Sequence, residues 1–344
     1  MSAASVTNTS RFFLAGDGAA TSLGGPLTLA DEGSFHINGA HLSSASPGAS
    51  TTGATPPGRI TSNQMYVHYR IPAEVKSLPV IMVHGSNHTG VTYETTPDGR
   101  EGWATYFVRR GHPVFVVDHA GRGRSGFNPT AINQVRDGGG SPAALPNLFI
   151  GTHERAWVNF RFGPAYGIAF PDLQFPLVAL DQYWSQLIVN SETTLERGAN
   201  HTIDALAALL DKIGPAVLMV HSQSGVYGVE VVKKRPQLVR ALISVEGGCE
   251  NLGDTEAKTA FAKVPFISVW GDHSVGAPGT MNGDERRNRC LQAVAAINTA
   301  GGRATHLMLP AIGIAGNSHM LMMDKNNLQI ADILLQWIAA NAQH

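Results

Sequence analysis

A serine hydroxyl attacks a carbonyl only when an imidazole removes its proton and a carboxylate fixes that imidazole's tautomer. The chain offers such a serine at Val217-Leu-Met-Val-His-Ser-Gln-Ser-Gly225, an apolar run that ends abruptly in small residues. Consecutive apolar side chains suit a strand buried on both faces of a parallel sheet. The following residues, 223–235, read as a helix that stops before Pro236. A serine in so tight a strand-to-helix turn is pushed past the sheet edge with its hydroxyl exposed. The framing His-Ser-x-small-Gly makes Ser222 the candidate nucleophile. Ser224 then takes the second small position, where a large side chain would strike the neighbouring strand. Ser224 as nucleophile is the alternative, but it puts Val226 where a small residue is needed. Alone, the run would also fit two solvated serines at an ordinary strand end.

The turn resembles the nucleophile elbow of α/β-hydrolases, in which the acid and then the histidine follow the nucleophile in chain order. Among fourteen histidines, His319 in Gly316-Asn-Ser-His-Met320 lies in a loop after the last expected strand. His306 falls within that strand, His84 and His221 suit loop-bracing roles through backbone contacts, and His273 reads as structural. Two acids compete. The usual place after the seventh strand is Gly271-Asp-His-Ser274, with a serine where the carboxylate belongs and Asp272 two residues early. After the sixth strand, Ser244-Val-Glu-Gly-Gly248 ends a buried run in an acid that can reach the same histidine. Glu246 is the first choice and Asp272 the alternative. An oxyanion needs donors worth ~10²–10³ in rate each. His84-Gly-Ser-Asn-His-Thr-Gly90 supplies the backbone N–H of Ser86, although a plain glycine-rich turn would also explain its glycines. Gln223, at a helix N-terminus whose dipole favours negative charge, supplies the second N–H.

The elements that must hold these residues are legible as alternating runs. Residues 64–70, 78–83, 113–118, 241–245, 265–270 and 306–309 read as strands, and 102–110 and 328–340 as helices. Such alternation implies a mainly parallel central sheet with helices on both faces, one α/β domain over 1–344. An N-terminal hairpin extension covers about 1–75, with residues 43–58 as a loop between two early hairpins. A cap-like insertion covers about 127–200, rich in Pro, Gly and the rings of Phe149, Trp157, Phe160, Phe162, Tyr166, Phe170, Phe175, Tyr183 and Trp184. Those rings build a second small core, line an apolar pocket over the nucleophile, or both. Gly121-Arg-Gly-Arg-Ser-Gly126 matches a dinucleotide fingerprint. However, Phe127-Asn-Pro129 breaks the helix a phosphate would need, and no acid lies about twenty residues on.

Composition removes other classes. Charged residues are 15% of 344, net charge is −1, and the longest basic run is Lys233-Lys-Arg235. Nucleic-acid binding and docking on anionic membranes therefore lack an electrostatic footprint. No apolar segment approaches the ~18 residues of a membrane span. Met1 to Ser10 has no basic segment followed by an apolar core, so the chain reads as cytosolic or as an exported protein without its leader. Two cysteines, Cys249 and Cys290, suffice for one staple. Asn87-His-Thr89 matches a glycosylation acceptor, but a glycan there would block the expected active site.

Taken together, these stretches resemble the esterase 713 type of bacterial α/β-hydrolase along nearly the whole chain. The resemblance also rests on Gly25-Pro-Leu-Thr-Leu29, Asp31-Glu-Gly-Ser-Phe35, Thr95-Thr-Pro-Asp-Gly-Arg-Glu-Gly-Trp103 and Asp324-Lys-Asn-Asn327. It implies a triad glutamate after the sixth strand, favouring Glu246 over Asp272. It implies a homodimer, export as a secreted or periplasmic form, and pairing of Cys249 with Cys290. Family members can carry adjacent cysteines after His-Gly, where this chain has Ser86 and Asn87. The expected function is hydrolysis of small-molecule carboxylic esters through an acyl-enzyme, with no metal or organic cofactor. The same triad acting on an amide, a lactone or a carbon–carbon bond is the nearest alternative, and a non-catalytic binding protein of this fold is the other. Epoxide hydrolysis and dehalogenation call for an aspartate at the elbow, where this chain has Ser222.

Overall fold

Apolar runs without polar alternation have no wet face to offer, and here they form the buried centre of one eight-stranded sheet. The structure, a computed structural model, describes residues 25–145, 148–191, 201–250, 252–275 and 283–342. In chain order the strands are β1 (Leu29–Ser44), β2 (Gly58–Pro72), β3 (Val80–Val83) and β4 (Val114–Asp118), followed by β5 (Ala216–His221), β6 (Val239–Val245), β7 (Phe266–Trp270) and β8 (Ala304–Met308). Their spatial order is β1-β2-β4-β3-β5-β6-β7-β8. β1 and β2 are antiparallel to each other, β2 is antiparallel to β4, and every later pairing is parallel.

The pleat of β5 divides the interior. Val217 and Met219 face one core, whereas Ala216, Leu218 and Val220 face the other. The first core is covered by α1 (Trp103–Arg109), α5 (Asn327–Asn341) and the cap; the second by α2 (His201–Ile213), α3 (Ser224–Lys234) and α4 (Gly283–Thr299). Each such fully buried Val, Leu or Met contributes roughly 1.5–3 kcal/mol. A one-residue slip would exchange the side chains offered to the two cores, so close packing on both faces fixes the register.

Two features differ from expectation. Residues 43–58 do not join two separate hairpins: they form the tip of one long hairpin whose strands pair from Leu29 with Pro72 to Ser44 with Gly58, and a short antiparallel pair, Ala49–Ser50 with Gly53–Ala54, closes that tip. Its β2 strand carries the fully buried Met65 and Val67 into the second core, so it is part of the sheet. In the cap, Trp157, Phe160, Phe162, Phe175 and Tyr183 are buried and packed into the first core. Phe162 and Phe175 stack with centroids 4.0 Å apart. Of the cap rings, Phe149 and Phe160 line the open pocket. Apart from the half-exposed Tyr166, the rest are engaged in packing, because short helices such as His153–Asn159 and Leu180–Trp184 need large side chains to anchor them. Cys249 and Cys290 form a disulfide that ties the segment after β6 to α4.

Candidate active site

Parallel strands deliver their carboxyl ends to one edge, and the register pairs Val220 with Ser244 and His221 with Val245. Ser222 and Glu246 therefore leave adjacent strands at the same level. Both adopt left-handed backbone, each with φ +53°, a conformation that costs a non-glycine residue roughly 1–3 kcal/mol and clusters at functional sites. Surrounding bonds hold the turns: Ser222 N donates to Val245 O at 3.1 Å, and Glu246 N to Val269 O at 2.8 Å. The turns also touch directly. A Cβ on Gly225 would stand 2.3 Å from Gly248 N, and one on Gly85 only 2.8 Å from Ser222 Cβ. Ser224 is fully buried, donates to the His84 carbonyl and lies 2.8 Å from His119 Nε2. Its hydroxyl is thus occupied in bracing the elbow.

His319 Nδ1 lies 3.0 Å from Glu246 Oε2. The other carboxylate oxygen, Oε1, accepts from Arg161 Nη2 and from Gly271 N, each at 2.5 Å. Burial alone would push this carboxyl up, but the Arg161 guanidinium and the bond from His319 outweigh it and hold it at about 2. Burial lowers the His319 imidazole, partly opposed by Glu246. The ring is held on three sides. Its backbone N–H donates to Phe160 O at 2.9 Å, it stacks on the Phe160 ring at 5.6 Å and 7°, and its carbonyl is 3.0 Å from His221 Nε2. His319 Nε2 and Ser222 Oγ are both buried and have no protein hydrogen-bond partner.

Asp272 does other work. Its Oδ2 accepts from Gly316 N at 3.1 Å, its N–H donates to Asn317 O at 2.9 Å, and its carbonyl accepts from Arg161 Nε at 2.8 Å. It braces the histidine loop from below. Asp324, pushed up to about 6 by burial, adds bonds to Asn317 and Ser318 of that loop. Asp172, Asp272 and His273 are the one group among the described residues close enough to share a cation. Their atoms are already joined: His273 Nε2 stands 2.9 Å from Asp172 Oδ1, and the Asp272 oxygens accept backbone N–H groups.

The loop bearing Ser86 is knitted into the cap. Asn190 accepts from Asn87 N at 2.7 Å and donates to Ser86 Oγ at 2.6 Å. The Asn87 amide donates to Ile188 O at 2.9 Å and to Phe149 O at 3.3 Å, and accepts from Gly151 N at 3.2 Å. This buried nitrogen uses both hydrogens, so the folded protein has no room for a glycan there. Arg122 links the loop to the elbow, donating to Gly85 O at 2.8 Å and to Gln223 Oε1 at 3.1 Å. In the former dinucleotide-like stretch, Arg124 N and the Arg124 side chain are engaged by Asp118, as is Gly90 N.

The structure therefore gathers Ser222, Glu246, His319, Ser86 and Gln223 at one edge and sets Asp272 aside as a brace. Arg161, Arg122 and Asn190 are additional members that sequence reasoning did not assign. Arg161 had one signal, a lone charge between Phe160 and Phe162 in an aromatic run; Arg122 lay in a loop already noted; Asn190 had none. A small open pocket runs beside Ser86, Asn87 and Phe160.

No protein-family model matches the chain. A solved bacterial esterase is similar at 39% identity and a TM-score of 0.88, covering 94% of this chain and 100% of its own. A fungal protein, the probable secreted lipase phiG of Fungal sp. (strain ATCC 74256), is 28% identical, with 82% of this chain and 87% of its own length covered.

Proposed function

The chain belongs to the α/β-hydrolase family of esterases, and from that premise we propose that a Ser222–His319–Glu246 triad cleaves small carboxylic esters through an acyl-enzyme. It is a hydrolase acting on ester bonds. Ser222 Oγ attacks the carbonyl carbon while His319 Nε2 takes its proton, and Glu246 stabilises the imidazolium that forms. The backbone N–H groups of Ser86 and Gln223 receive the oxyanion. Collapse breaks the carbon–oxygen bond, and the alcohol leaves with the proton from His319. Water, deprotonated by the same imidazole, then releases the acid and restores Ser222.

One observation carries this reading. His319 has one ring nitrogen committed to a buried carboxylate and the other, equally buried, left unpartnered, as is the Ser222 hydroxyl. The disulfide suits an oxidising compartment, in keeping with the secreted description of the fungal lipase. A fluorophosphonate probe followed by intact-mass analysis tests the nucleophile. Stoichiometric labelling is expected in the native chain and none in Ser222→Ala, which also loses turnover of a chromogenic short-chain ester. Glu246→Gln should cost orders of magnitude and Asp272→Asn far less; the reverse order would transfer the acid's role to Asp272.

A further inference from the structure

We propose that the pocket beside the reaction centre selects esters bearing a carboxylate at the end of a short apolar chain, with Arg155 as the anion-binding, specificity-determining residue. This deepens the ester-hydrolase reading and rests on it. The pocket adjoins the reaction centre without including Ser222 or His319: Ser86 of the expected oxyanion loop lines it, and so does Phe160, whose ring stacks on His319. Its middle is apolar, walled by Phe149, Ala156 and Leu187.

Besides Ser86 and Asn87, two polar side chains line the pocket, the exposed Arg155 and the half-buried Asn159. They stand four residues apart on the helix His153–Asn159, hence on one face of it. Neither the guanidinium nor the Asn159 amide has a hydrogen-bond or ion-pair partner among the described residues. Arg155 is nevertheless placed, since its guanidinium carbon lies over the Phe149 ring, 4.8 Å from the centroid. A stacked arginine has already surrendered part of the rotamer freedom that binding would cost. Its planar fork matches a carboxylate with two parallel bonds, and the Asn159 amide, one turn along, is a third donor to the same anion. An apolar corridor between a carbonyl-activating end and an unpartnered cation describes a half-ester of a dicarboxylic acid, or an ester of an ω-hydroxy acid.

The test is a ratio. Monomethyl esters of dicarboxylic acids are compared with methyl esters of monocarboxylic acids of equal length, which puts the carboxylate on the acyl side. Acetates of ω-hydroxy acids against acetates of simple alcohols put it on the alcohol side. In one arm, kcat/KM for the carboxylate-bearing ester should exceed that for its neutral partner. Arg155→Ala should lower that ratio about five- to tenfold, and Arg155→Lys, which keeps the charge but not the fork, by less. High salt should shrink the ratio in the native enzyme, which needs no variant to fold. A ratio that neither salt nor Arg155→Ala moves in either arm overturns the proposal while leaving ester hydrolysis intact. Absence of turnover on every ester would instead sink the reading beneath it.

Discussion

Arg161 belongs to the cap, yet its guanidinium completes the environment of Glu246, the proposed triad acid, 85 residues away in sequence. A buried carboxylate without a counter-charge tends to take up a proton. Arg161→Met should therefore raise the Glu246 pKa from about 2, and it also removes a positive charge that lowers His319. Both changes act in the same direction. In the native enzyme His319 is held below the ordinary 6.5, so the acid limb of kcat/KM should lie below that value. In the variant the limb should move to higher pH, with kcat down about 10–100-fold and partial recovery in Arg161→Lys. Lost rate with an unmoved limb would reduce Arg161 to a packing role. At this scale the sequence offered Ser222, Glu246 and His319 as candidates because each sits at a predictable loop position after a strand. Arg161, Arg122 and Asn190 were hidden because their partners are reached only through tertiary folding.

At the level of elements, the segment after β6 carries an unusual load. Gly247 and Gly248 pack against Gly225 of the elbow, Glu246 precedes them, and Cys249 follows with its bond to Cys290 on α4. The two cysteines are 41 residues apart, so chain-entropy arguments assign the cross-link about 4 kcal/mol. Denaturant unfolding of the oxidised and reduced protein should give unfolding free energies that differ by that order, and coincident midpoints would deny the staple its stabilising role. The strands were readable because buried runs of Val, Ile, Leu and Met have few alternatives. The internal structure of residues 127–200 was not, since its short helices lack periodicity and its rings are sorted into core and pocket only by packing. The β1–β2 hairpin escaped for another reason: an antiparallel edge half exposed to solvent resembles a free-standing ladder until its neighbour β4 is known.

Seen as a whole, the molecule has one edge where chemistry is gathered and one insertion that reaches across it. That insertion is bonded into the centre it covers. Phe160 accepts the His319 N–H and lies against its ring, Arg161 grips Glu246, and Asn190 with the carbonyls of Phe149 and Ile188 holds Ser86 and Asn87. A flap so attached cannot swing away like a door without dismantling the proton-transfer machinery beneath it. Substrate must instead enter through a standing portal. Interfacial activation, the burst in rate when a lipase's lid opens on an oil droplet, should therefore be missing. Hydrolysis of a sparingly soluble ester should rise smoothly through its solubility limit, and a sharp jump there would mean that the flap parts from the catalytic groups after all.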